Sequence, residues 1–86
     1  MIKMTILNND DVLKVIGKKI QEARKKKGYT QEYVAEKIDK SIDIYRCIEN
    51  GRSVGSVVSL LNICNVLEIT MNDIFYDLLD KNETLS

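Results

Sequence analysis

The sequence predicts an all-α fold, a single bundle of five short helices. Three observations predict it. No proline interrupts the 86 residues and the four glycines are widely spaced, which favours helices over a turn-rich sheet fold. Apolar residues recur three and four positions apart in five separate stretches, the spacing of one helix face. Four of those five stretches are preceded by a serine or threonine placed to cap a helix, its hydroxyl accepting from an unpaired N–H of the first turn.

Residues 1–9 alternate loosely, with Ile2, Met4 and Ile6 against Lys3 and Thr5. That pattern fits either a short strand or an unordered extension. The first helix starts near Asp10 or Asp11 and turns Val12, Ile16, Ile20 and Ala23 inward, with lysines opposite. Gly28 ends it with the left-handed residue that helices favour after the last turn. Thr30 caps a second helix, Gln31 to Ile38, whose inward residues are Val34, Ala35 and Ile38. Only Asp39, Lys40 and Ser41 separate it from a third, which runs from Ile42 to about Asn50. Ile44, Tyr45 and Ile48 face inward there, and Gly51 closes it. Two short helices joined by so tight a turn form a helix-turn-helix. Ser56 caps the fourth helix, with Val57, Leu60, Leu61, Ile63, Cys64 and Leu67 inward. Thr70 and Asp73 make a capping box, with aspartate in place of glutamate. They open a fifth helix carrying Met71, Ile74, Phe75, Leu78 and Leu79. Residues 10–79 thus read as one domain between the extension 1–9 and a polar tail 80–86.

Composition narrows the function classes. A chain of this length with 44% apolar residues builds one core without disulfide or metal staples. No apolar run reaches the roughly 18 residues of a membrane span. The acidic turn of MIKMTILNNDD is unlike a cleaved leader, so a cytoplasmic location is expected. Cys47 and Cys64 lack metal-ligand spacing and there is no histidine; both read as reduced thiols used as small hydrophobes. Neither a phosphate loop nor a nucleophile with a base is present, so no enzyme is expected. Net charge is zero but unevenly spread. Lys14, Lys18, Lys19, Arg24, Lys25, Lys26 and Lys27 stand against Glu22 alone, whereas Asp73, Asp77, Asp80 and Glu83 face only Lys81 near the end. A basic segment with an acidic tail is compatible with nucleic acid on one side.

From Ile16 on, the string IGKKIQEARKKKGYTQEYVAEKIDKSIDIYRCIENGRS, with SLLNICNVLEITMNDIF after it, resembles the lambda-repressor and Cro-type (XRE) helix-turn-helix family. The shared elements are Arg24, Gly28-Tyr29-Thr30-Gln31, Val34-Ala35, Ser41, Ile48-Glu49-Asn50-Gly51, Leu60-Leu61 and Thr70, in family order over about three-quarters of the chain. The resemblance implies a lambda-repressor-like five-helix bundle acting as a sequence-specific DNA-binding regulator, a repressor that binds a two-fold operator as a dimer. No cofactor or metal is expected, and no small-molecule ligand is evident. Gln31 would sit where first-turn N–H groups attract a phosphate, and it could also brace a recognition-helix side chain. Asn50, Arg52 and Ser53 would face the opposite phosphate run. Family members pair the residues equivalent to Arg24 and Glu49, tying the first helix to the third. Phe75, Tyr76 and Leu79 of the fifth helix are candidate dimer surface, with residues 2–7 a second candidate.

Departures fall on the recognition helix. Its outward positions are Ile42, Asp43, Arg46, Cys47 and Asn50, where amides and guanidinium groups would match purine edges bidentately. Ile42 can touch a thymine methyl, Asp43 can accept from a cytosine amine, and Cys47 offers apolar contact. Arg46 is the obvious reader. Asp39 stands at the family's turn glycine, which aspartate tolerates in the left-handed region. Lys40 replaces an apolar residue and either snorkels outward or contacts phosphate. These departures keep open an alternative, a protein-interaction module such as an antirepressor or antitoxin-like partner that does not read DNA.

Overall fold

The computed structural model describes residues 8–78. Its elements are α1 (Asn9–Lys27), α2 (Gln31–Lys37), α3 (Ile42–Glu49), α4 (Val57–Leu67) and α5 (Met71–Phe75), the last continued by a 3-10 turn, Tyr76–Leu78. There is no strand among the described residues. Residues 1–7 of the segment read as strand or extension, Leu79 and the polar tail lie outside them, whereas Asn8 and Asn9 belong to the start of α1.

Each helix opens on a side-chain cap. Thr30, Ser41, Ser56 and Thr70 accept from Tyr33, Ile44, Ser59 and Asp73 N–H groups, and the Asp73 carboxylate completes the box at Thr70. α1 begins slightly earlier than the sequence predicts because Asn8, rather than an aspartate, supplies its cap. Asp10 and Asp11 then occupy the first turn and Arg24 to Lys27 the last, both placements favoured by the helix dipole. α5 stops at Phe75, short of the apolar pattern, and tightens into the 3-10 turn. Asp39 takes the left-handed conformation at φ 58°. Lys40 follows it with an N–H to Ala35 and an exposed side chain.

The core is built from Ile16 and Ile20 of α1, Val34 and Ala35 of α2, Ile38, Tyr45 and Ile48 of α3, Leu60, Ile63, Cys64 and Leu67 of α4, and Ile74 of α5. Three residues predicted to face inward do not. Ile44 is 48% exposed, Val57 69% and Leu61 44%. On α3 the inward face is centred on Tyr45, Ile48 and Glu49, which leaves Ile44 at one border and draws Ile42, predicted outward, partly under cover at the other. On α4 the buried Ser59 and Leu60 turn Val57 and Leu61 away from the core.

α1 is the spine, packing against α3, α4 and α5. Its approach to the end of α3 is backbone on side-chain-free backbone. A Cβ placed on Gly17 would lie 2.5 Å from the carbonyl oxygens of both Ile48 and Glu49. Gly51, at φ 76°, would put one 2.9 Å from the Lys14 Cα. Glycine at these two points lets the C-terminal end of α3 seat directly on α1.

Candidate nucleic-acid interface

The close seat of α3 on α1 brings Arg24 and Glu49 together. The Arg24 Nε donates to Glu49 Oε2 at 2.6 Å and a terminal nitrogen donates to Oε1 at 3.3 Å. The Glu49 side chain is fully buried and that of Arg24 is 11% exposed. The other terminal nitrogen donates to the Tyr29 carbonyl at 2.8 Å, securing the bend after α1. The Tyr45 hydroxyl also donates to Glu49 Oε2, and Gln31 Nε2 donates to Oε1 at 3.0 Å.

The charge states follow from these contacts. Burial alone would push the Glu49 carboxyl up, but donors from Arg24, Tyr45 and Gln31 outweigh it and hold the group below its ordinary value. The hydrogen bond to Glu49 raises Arg24 further. Burial first, and then the neighbouring carboxylate, raise the Tyr45 phenol. The pair is ionised and the tyrosine neutral.

From this buried carboxylate a line of hydrogen bonds runs to the surface. Gln31 stands in the first turn of α2, half buried, and its Oε1 accepts from the Arg46 Nε at 3.3 Å. Arg46 projects from the outer face of α3 with its side chain 48% exposed. Asp43 and Asn50 share that exposed face, and Cys47 is half covered. Ser41 is exposed but its hydroxyl oxygen accepts from Ile44 N–H at 3.2 Å. Arg52 and Ser53 are exposed on the loop beyond, where the Ser53 oxygen accepts from Gly55 N–H at 2.9 Å. Lys14 abuts this loop through its contact at Gly51.

The structure therefore gathers Asp43, Arg46, Cys47 and Asn50 along the outer face of α3, with Gln31 of α2 against Arg46 and Arg52 and Ser53 on the loop that follows. Ser41 serves the helix end, and Ile42 is shared with the core. Two participants escaped the sequence reading. Tyr45 was read only as an inward hydrophobe, although it stands four residues before Glu49, the spacing at which helical side chains meet. Glu32, beside Gln31, carries an oxygen 3.9 Å from the Arg46 guanidinium. One basic residue is diverted elsewhere. Lys27 pairs with Glu68, so each stabilises the other's charged form, raising the lysine and lowering the glutamate.

Among the described residues no cluster of histidine, cysteine or carboxylate side chains could hold a metal ion. No helix there is long and apolar enough to cross a membrane. Cys47 and Cys64 are both free thiols.

Comparison with known proteins agrees with this architecture. A family profile described as helix-turn-helix matches residues 20–74, from the middle of α1 into α5. YgzD of Bacillus subtilis (strain 168), described as an uncharacterized HTH-type transcriptional regulator, is 33% identical over 58 residues. That match covers 67% of this chain and 88% of the relative. With two capped helices on a tight turn, a buried arginine–glutamate pair behind them and a matching profile over most of the chain, the protein belongs to the XRE-type helix-turn-helix family.

Proposed function

We propose that the protein is a sequence-specific DNA-binding transcriptional regulator, a repressor acting as a dimer on a two-fold operator. The observation that carries this reading is the anchoring of Arg46. A guanidinium on the outer face of α3 is held by Gln31, which is held in turn by the buried Glu49. Pre-ordering a long side chain at the surface removes the entropy cost of aligning it on a purine edge. The backbone N–H of Gln31 at the start of α2, and Arg52 and Asn50 beyond α3, flank it as phosphate contacts, and Lys14 extends the basic rim. α3 would lie in the major groove, with two copies about 34 Å apart.

One observation favours the alternative reading as a protein-interaction module. Asp43 and Glu32 set two carboxylates beside Arg46 on the same face, and both repel phosphate. Selection of bound duplexes from a random-sequence pool, followed by footprinting, decides between the two. The regulator reading expects an enriched two-fold site whose affinity falls about a thousandfold between about 50 and 200 mM salt, as for roughly six neutralised phosphates. No binding to any pool member at low salt would remove it and leave the interaction module.

A further inference from the structure

The outer face of α4 differs from the faces of its neighbours. Val57 and Val58 are 69% and 65% exposed and Leu61 is 44% exposed, and the stripe continues through the exposed Asn62 and Asn65. Residues 53–67 contain no charged side chain, in a chain that is 30% charged. The exposed faces of α1, α2 and α3 carry Lys18 and Lys25, Glu32 and Glu36, and Asp43 and Arg46. Adjacent exposed valines at the start of a helix gain nothing in water, and contiguous apolar surface of this kind marks an interface.

We propose that this face of α4, centred on Val57, Val58 and Leu61, is where a second copy of the chain docks across a two-fold axis. Charge identifies the occupant. A surface that meets its own copy brings like onto like, so any net charge on it is doubled and repels. The α4 stripe carries none, and it offers a dissimilar partner no charge to complement. An apolar centre with Asn62 and Asn65 at its border has the composition of such a contact.

Position supports the same occupant. A Cβ on Gly55 would lie 3.9 Å from the Ile48 side chain and 3.6 Å from Ser59, so α4 begins beside the C-terminal end of α3. A two-fold axis at this face would hold two copies of α3 in one dimer at a fixed separation, as paired half-sites require. The fifth helix, the surface expected from the sequence, offers less. Phe75 and Leu78 are packed partly into the core, and Tyr76 is the large apolar side chain it exposes among the described residues. The purpose of the dimer rests on the regulator reading; the docking does not, and is measured without DNA.

The test is sedimentation equilibrium of the full chain at concentrations up to about 200 µM. The wild type is expected to dimerise reversibly. The double variant Val57→Glu/Val58→Glu is expected to raise the dimer dissociation constant at least about thirtyfold, with unchanged far-UV circular dichroism, since both positions are exposed and glutamate suits a first turn. Tyr76→Ala is expected to dimerise as the wild type does. A monomeric wild type overturns the proposal, and so does a dimer broken by Tyr76→Ala but not by the double variant. Wild-type amide shifts give a second reading that needs no variant. Residues 57–65 should move with concentration while 71–78 stay fixed, and the reverse pattern overturns the proposal. On DNA, the double variant should match the wild type on one half-site and lose cooperativity on two. Absence of binding by both proteins would sink the regulator reading and leave the docking to the sedimentation result.

Discussion

Arg24→Ala tests the link between the core and the candidate interface most directly. Four hydrogen bonds reach the Glu49 carboxylate, two from Arg24 and one each from Tyr45 and Gln31. The substitution removes both charged ones and strands a fully buried anion. Breaking a buried pair in this way costs about 3–5 kcal/mol. The two neutral donors that remain place the expected loss near the lower end. In a domain of this size each kcal/mol lowers Tm by about 4–8 °C, so a fall of about 12 °C or more is expected. The pH dependence gives an independent sign. In the wild type the folded carboxyl titrates below its ordinary 4.5. The stability it confers is complete above that value and disappears as pH falls through the lower folded one. Without Arg24, burial dominates and lifts the folded carboxyl above its unfolded value. The variant's deficit should then shrink between about pH 7 and pH 4, where protonation discharges the stranded group. Thermal melts followed by circular dichroism, with the exposed Lys26→Ala as control, measure both effects. A loss no larger than the control's, or a deficit that grows on acidification, would refute the argument.

Four further outcomes follow from the same geometry. Tyr45→Phe should cost about 1.5–3 kcal/mol in urea unfolding, the range for a hydrogen bond to a charged group, because the lost hydroxyl donates to a buried carboxylate. Gly17→Ala should destabilise by about 1–3 kcal/mol by pressing a methyl onto the Ile48 and Glu49 carbonyls; a neutral result would mean that α1 and α3 slide apart freely. In binding titrations on a selected duplex, Arg46→Ala should weaken binding more than any other α3 change. Arg52→Ala should weaken all sequences alike and flatten the salt slope by about one phosphate contact.

What could be read from sequence was local. The caps at Thr30, Ser41, Ser56 and Thr70 and the left-handed Asp39 are decided within three or four residues, and the structure shows each of them. Asn8 was overlooked because Asp10 and Asp11 are equally good caps by residue type. Periodicity located the helix faces only coarsely. It counts apolar residues but does not know what covers them, which is why it turns Ile44, Val57 and Leu61 inward although all three are exposed. The Arg24–Glu49 contact spans 25 residues and was legible only through family resemblance. The continuation from Glu49 through Gln31 to Arg46 crosses two helices, and Lys27 meets Glu68 across 41 residues. Such contacts depend on packing angles that no local pattern encodes.

The amide of Gln31 has two unlike ends, and Glu49 decides which one faces outward. An ionised carboxylate only accepts, so it claims the amide NH₂ and leaves the carbonyl oxygen pointing at position 46. That oxygen is satisfied by a donor and by nothing else. As long as Glu49 stays ionised in the core, the surface site it controls is compatible with arginine, lysine or an amide turned nitrogen-first, and a glutamate at position 46 would meet oxygen with oxygen. A variant with an acceptor at position 46 would need a change at the buried end of the line as well. The vocabulary of the outermost side chain is thus restricted from within, by a fully buried group.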